Sequence, residues 1–152
     1  MNRFVVGVLV TAILALTAAP LTASADQSVD PAVAYALAEV PGGVLLTPSS
    51  AEWPSLGMRI DAPDARARSV GTCATGAICA YSGVNRSGTK LSWTSCGTKS
   101  TAALSTVGSI ANARSSGVLN ANAGSVVRAS AGAGASTNVA AAYQSAITSV
   151  SC

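Results

Sequence analysis

The chain contains no histidine, and no aspartate or glutamate follows Asp64. General acid–base and triad catalysis need such groups within hydrogen-bond reach of the reacting atoms, and Cys, Lys and Tyr replace them only when strongly perturbed. The many serines of the C-terminal part therefore have no base to activate them as nucleophiles. A protein that binds rather than reacts is the expectation. Aromatic residues make up only 4% of the sequence, and the bases come without interleaved aromatics, which argues against nucleic acid as a partner. A second long apolar run is also missing, as is a cysteine just after the first run, so neither a spanning segment nor a lipid anchor is indicated.

What the N-terminus does contain is an export pattern. Asn2-Arg3 form a short positive region, Phe4 to Thr17 is an apolar run, and Ala23-Ser24-Ala25 offers a small-residue cleavage site. The run is shorter than the ~20 apolar residues that cross a bilayer. Residues 1–25 are accordingly read as a signal peptide cleaved after Ala25, leaving a secreted protein that begins at Asp26 and has no membrane contact after cleavage.

Charge divides the remainder, which is sized for one small domain plus an extension. Asp26, Asp30, Glu39, Glu52, Asp61 and Asp64 precede Ala65 with Arg59 as their only base; from there on come Arg66, Arg68, Arg86, Lys90, Lys99, Arg114 and Arg128 and no acid. Residues 26–68 read as an acidic extension and linker, and residues 69–152 as the main domain. The extension is expected to lie on the basic domain by charge, and a chain starting at Ser69 is expected to fold without it. Alternatively Arg86, Lys90, Lys99, Arg114 and Arg128 form a face for an anionic cell-envelope polymer. A solvated surface is the commoner role for such scattered bases.

Large apolar residues after Ser69 are few: Val70, Ile78, Val84, Leu91, Trp93, Leu104, Val107, Ile110, Val118, Leu119, Val126, Val127, Val139, Ile147 and Val150. Small exported domains with thin cores commonly carry covalent staples. The four cysteines allow three pairings; the tight C-x5-C spacing favours Cys73 with Cys79, leaving Cys96 for the terminal Cys152. Zinc is disfavoured, because two CxxC knuckles are absent and an exported chain meets an oxidising medium.

Local patterns predict two unlike parts. Asp30-Pro31 followed by Val33, Leu37 and Val40 reads as a capped short helix ended by Pro41-Gly42-Gly43. Val44 to Thr47 and Met58 to Ile60 are expected to pair as a hairpin across the intervening turn residues, and Asp61 to Ser69 reads as linker. Beyond Ser69 the pattern is β throughout: Leu91 and Trp93 alternate with Lys90, Ser92 and Thr94, and Ser136 to Val139 suits a strand. Val107-Gly-Ser-Ile110 is echoed by Ile147-Thr-Ser-Val150, and Gly88 to Leu91 more loosely by Gly124 to Val127. Two four-stranded units of that length suit a Greek-key sandwich.

The spacing Tyr81-x6-Gly88 with Ser109 resembles a βγ-crystallin Greek-key motif, in which the glycine lets the first hairpin fold over, the ring packs beneath it and the serine hydroxyl ties it down. The run from Cys73 through Cys79 to Tyr81, together with Pro41-Gly42-Gly43-Val44 and Glu52-x-Pro54, is similar to the actinobacterial secreted peptidase inhibitors of the Streptomyces metalloproteinase inhibitor family, from about Pro41 to Cys152. The resemblance implies an all-β, disulfide-stapled, βγ-crystallin-like sandwich that inhibits an extracellular peptidase, of the metalloproteinase class, through a rigid surface loop. A crystallin-fold antimicrobial is the further alternative it leaves open. The second motif keeps Ser149 but has no aromatic or glycine at matching distances. A second short cysteine pair is missing too, so the resemblance assigns no inhibitory residue. Crystallin-type calcium positions hold Leu104 and Ser105, then Gln144 and Ser145, which do not suit a hard cation. No metal, cofactor or catalytic residue is expected.

Overall fold

A computed structural model describes residues 28–63 and 73–152. The proposed signal peptide and the stretch 64–72, which contains most of the expected linker and Val70, lie outside the described residues.

The first described element is α1 (Pro31–Glu39), where the Asp30 carboxylate accepts from the Ala32 amide at 2.8 Å and Pro31 holds the first helical position. Both features satisfy or remove the unpaired amides of the first turn. Val33 and Ala36 are buried and Leu37 and Val40 are half-buried. Gly42, at φ +86°, turns the chain into β1 (Val44–Thr47).

β1 pairs with β2 (Ser50–Trp53), and β2 pairs in turn with β3 (Met58–Asp61). The predicted hairpin between Val44–Thr47 and Met58–Ile60 is therefore replaced by a three-strand meander. Pro48, Ser49 and Pro54 are turn formers by type, but between them Ala51 and Trp53 are buried on either side of Glu52 as in a strand. Trp53 also donates from Nε1 to the Val40 carbonyl at 2.8 Å, tying the strand to the helix end. Asp61 belongs to β3, and Ala62 is buried with its amide on the Ser49 carbonyl, so neither behaves as linker.

The remaining strands are β4 (Ile78–Tyr81), β5 (Lys90–Trp93), β6 (Lys99–Ser100), β7 (Ser109–Asn112), β8 (Val118–Ala123), β9 (Val126–Gly132), β10 (Ser136–Asn138) and β11 (Ser149–Ser151). Two antiparallel sheets result, ordered β1-β2-β3-β5-β4-β7-β10 and β6-β11-β8-β9. The third strand of each four-strand unit crosses over: β6 leaves the first unit to pair with β11, and β10 leaves the second to pair with β7. The two echoed segments occupy matching places, at the starts of β7 and β11 and of β5 and β9.

Extension and domain share one sheet, because β3 pairs with β5 over Met58↔Trp93, Arg59↔Ser92, Ile60↔Leu91 and Asp61↔Lys90. One apolar cluster holds Val33, Trp53, Met58 and Ile60 together with Ile78, Leu91, Trp93, Leu119 and Val150. The expected charge attraction contributes Asp61 Oδ2 to Lys90 Nζ at 3.3 Å, while backbone pairing and apolar burial form the main attachment. Of the expected core, Val84, Val118, Val126 and Val127 are exposed. Val126 and Val127 lie on a strand at the sheet edge, with one side unpaired among the described residues, and Val84 sits at a hairpin tip. β4, flanked on both sides, is buried at all four positions. Cys79 and Tyr81 lie in a second small cluster with Ala111 and Cys73.

The cysteines pair as the spacing favours, Cys73 with Cys79 and Cys96 with Cys152. The second bridge fastens the segment after β11 beside β6.

Candidate functional site

The first feature built from the predicted site residues is the segment between β4 and β5. Gly88 takes φ +72°, and a Cβ there would meet the Ser82 hydroxyl. Asn85 and Arg86 also take positive φ, 55° and 61°. Such values strain a non-glycine residue by on the order of 1 kcal/mol or more and persist only where surrounding contacts fix them. Those contacts are present. Ser109 Oγ donates to the Gly83 carbonyl at 2.7 Å and accepts from the Arg86 amide at 2.9 Å. The Asn85 amide reaches Asn138 Oδ1 at 2.7 Å, and Asn138 Nδ2 returns to Asn85 Oδ1 at 2.8 Å. Ser82 Oγ accepts from the Thr89 amide at 2.8 Å, and Ser87 Oγ donates to the Val84 carbonyl at 2.7 Å.

Gly108 lets this hairpin lie against the neighbouring strand; a Cβ on it would sit 2.7 Å from both the Gly83 oxygen and the Val84 nitrogen. Tyr81 enters the hairpin fully buried, and its hydroxyl has no hydrogen-bond partner among the described residues. Burial pushes its phenol above the ordinary 10.0, with the Arg86 charge opposing. Tyr81, Gly88 and Ser109 thus meet around one folded segment. In the second unit the corresponding tie comes from Thr148, whose hydroxyl accepts from the Gly124 amide at 3.1 Å. Ser149 contributes strand pairing to Ser100 and Asn122.

The five bases considered for a polymer face are spread over different elements. Arg86 is at the hairpin tip, Lys90 begins β5 and Arg114 lies between β7 and β8. Lys99 and Arg128 fall on the two opposite edges of the four-stranded sheet. Lys99 Nζ donates to Ser95 Oγ at 2.9 Å, and the Arg128 guanidinium stacks 4.2 Å from the centre of the Tyr143 ring.

Sequence reasoning missed two surface features near the extension. The β2–β3 connection is a tight 3₁₀ turn (Pro54–Leu56) closed by left-handed Gly57. Open clefts of about 340 Å³ and 290 Å³ flank it, the first lined by Val40, Leu56, Met58 and Lys99, the second by Trp53, Arg59, Lys90 and Trp93. Both are near the small end for ligand pockets. The other feature is β1, an edge strand exposed at every position. Its signal in the sequence was the uninterrupted Val44-Leu45-Leu46, too apolar for the edge of a sheet.

Among the described residues no group of three or more Cys, Asp or Glu side chains is placed to hold a metal ion. No protein-family model matches the chain, and no curated protein or solved structure matches it either.

Proposed function

We propose that the chain is a secreted, βγ-crystallin-like Greek-key protein that inhibits an extracellular peptidase of the metalloproteinase class through a rigid surface loop. The observation that carries this reading is the exchange of β6 and β10 between the two sheets, with the β4–β5 hairpin folded and tied by Ser109. Tyr81, Gly88 and Ser109 meet around that hairpin in the roles the resemblance implies, with the Ser109 hydroxyl tying it down, whereas the second unit departs from it, its tie coming from Thr148 rather than Ser149. Two disulfides are compatible with an oxidising, extracellular setting.

Inhibition needs no chemistry from the inhibitor. A surface element that is already held in its bound shape loses little conformational entropy on docking, so it binds tightly without being processed efficiently. Adhesion to an anionic polymer has less support, since its bases sit on separate elements and on opposite sheet edges. The deciding experiment titrates the purified mature protein against a panel of secreted metallo-, serine and cysteine endopeptidases. One-to-one, dose-dependent inhibition that survives moderate salt supports the reading. No inhibition of any member, combined with salt-sensitive retention on an anionic polymer, would replace it with the adhesion reading.

A further inference from the structure

The two disulfides lie in opposite surroundings. Cys79 is fully buried in β4, and Cys73 is half-buried beside it, packed with Tyr81 and Ala111. Cys96 and Cys152 are both exposed. Thiol–disulfide exchange is governed by access to a sulfur and by how readily the other sulfur departs as a thiolate. The exposed bridge is favoured in both respects. The Gly97 amide donates to Cys152 Sγ at 3.4 Å, and a hydrogen bond to the charged form of a group favours that form. Lys99 Nζ is held on Ser95 Oγ at 2.9 Å, next to Cys96 in the chain, where its charge attracts an approaching thiolate.

The same bridge fastens a strap. Residues 95–100 lead from β5 into β6, which has two residues and pairs, among the described residues, with β11 alone through Ser149↔Ser100 and Val150↔Lys99. Both ends of the strap are anchored without the sulfurs. The Thr94 amide donates to the Gly57 carbonyl at 3.2 Å, and buried Thr101 donates from its amide to the Thr148 carbonyl and from Oγ1 to the Ile147 carbonyl, each at 3.1 Å. Between these anchors, Ser95, Thr98 and Lys99 line the cleft of about 340 Å³ that Met58 and Trp93 also line. A backbone pairing of two residues is weak support for six residues of chain, so the covalent tie holds the strap in place.

We infer that Cys96–Cys152 is a thiol-exchange site, at which a small thiol bonds to Cys96, Cys152 departs, and the strap 95–100 is released from β11 while the rest of the fold stays closed. The thiolate of the incoming thiol forms a bond to Cys96 Sγ as the bond between the two cysteine sulfurs breaks. Its electron pair leaves on Cys152 Sγ, where the Gly97 amide holds the charge until solvent supplies a proton. A second thiolate then attacks the small thiol's sulfur in the mixed disulfide and releases Cys96. In sum two thiols are oxidised to one disulfide and the bridge is reduced by two electrons. The Cys73–Cys79 bridge is spared, because attack on its buried sulfur requires the sheet around β4 to open first.

The test exposes the full mature protein to dithiothreitol under native conditions, traps free thiols with an alkylating reagent at timed intervals and maps the labelled peptides by mass. Cys96 and Cys152 are expected to be labelled on the order of 100-fold faster than Cys73 and Cys79. Comparable rates, or faster opening of Cys73–Cys79, overturn the inference. With glutathione as the probe, the mixed disulfide is expected on Cys96 with Cys152 free; glutathione found mainly on Cys152 overturns the assignment of the leaving sulfur. Hydrogen exchange of the selectively reduced protein is expected to quicken at residues 95–100 and to stay unchanged across the paired β3 and β5. No change at 95–100, or a gain spread over the whole chain, overturns the strap. A doubly substituted Cys96→Ser, Cys152→Ser form should reproduce the exchange pattern of the reduced protein. The comparison of the two bridges is made within the parent chain, so it stands whether or not that variant folds.

Discussion

Ile60 is the residue on which the unity of the fold can be tested. It belongs to β3, is fully buried, faces Ala51 on one side and Leu91 on the other, and lies in the apolar cluster shared by helix, extension and both sheets. Ile60→Ala removes three buried carbons, which at about 0.8 kcal/mol each cost about 2.4 kcal/mol in transfer alone. A cavity term raises this toward 3–4 kcal/mol, within the roughly 2–5 kcal/mol span of Ile-to-Ala changes in cores. An unfolding entropy of about 2.1 cal/mol/K per residue converts that loss to a fall in Tm of about 12–15 °C. The assay is thermal and urea unfolding followed both by tryptophan fluorescence, which reports Trp53 and Trp93, and by far-UV circular dichroism, which reports the sheets. Both probes are expected to shift together in a single transition. Separate transitions, or a loss below about 1 kcal/mol, would refute the argument that residues 28–63 and 73–152 form one cooperative core. The same reasoning predicts that a chain starting at Ser69 loses cooperative folding, since it exposes the β5 edge and leaves Trp93 without its cover; a sharp, parent-like melt of that fragment would sink it.

Gly108→Ala should destabilise the protein by several kcal/mol, because the new methyl group meets the Gly83 and Val84 backbone, whereas Gly132→Ala should be nearly neutral, nothing lying within 4 Å of its Cβ position; comparable urea midpoints for the two would contradict the close approach. Ser109→Ala should cost about 1–3 kcal/mol by leaving the Arg86 amide and Gly83 carbonyl without their partner, measured by the same unfolding curves. Cys152→Ser opens a bridge of sequence separation 56 and should cost about 4 kcal/mol in the chain-entropy model, against about 2 kcal/mol for Cys79→Ser with separation 6; non-reducing peptide mapping should recover those two pairs and no Cys79–Cys96 peptide. Tyr81→Phe should leave the protein as stable or stabilise it at neutral pH, since it removes a buried hydroxyl without a partner among the described residues. Because burial raises the folded Tyr81 pKa above the unfolded 10.0, the neutral form's stability is complete below pH 10 and is lost as pH rises through the folded value; Tyr81→Phe should flatten that alkaline fall in a pH series of melts.

The parts of the fold that were legible in the sequence are those governed by short-range rules. Asp30 and Pro31 specify a helix start because capping is decided within one turn, and Leu91 and Trp93 specify a strand because alternate burial has a period of two. The cysteine pairing followed from spacing. Long-range register was less readable. Ser50 to Trp53 looks like turn material locally, and only its place between β1 and β3, with Trp53 anchored on the Val40 carbonyl, makes it a strand. The division into an acidic extension and a basic domain was a true feature of the charge pattern. Yet exposed charges contribute little to attachment compared with a buried strand, and Ile60 and Met58 outweigh Asp61 and Lys90 in joining the two parts. At the candidate site, Tyr81, Gly88 and Ser109 could be picked out through the resemblance of their spacing to a βγ-crystallin motif. The fixing of Asn85 by Asn138, which lies 53 residues away, leaves no local trace.

Where a sequence breaks a local rule without repair, the break is more informative than the many places where it conforms. The hairpin breaks backbone rules at Asn85 and Arg86, but Ser109 and Asn138 repair them, so its strain is absorbed by the fold and asks for no partner. The Trp53 and Trp93 rings would be costly to expose, and the sheet covers both. β1 is different. Its three apolar side chains are half in water, and its outer edge is unpaired among the described residues. Replacing Leu45 or Leu46 with a polar residue should therefore cost the folded state less than about 0.5 kcal/mol, as is usual for exposed positions, and should improve solubility. Close packing at Gly43 and the Asp30 amide on the Pro48 carbonyl hold β1 in place at both ends, so its position is set without its exposed side chains.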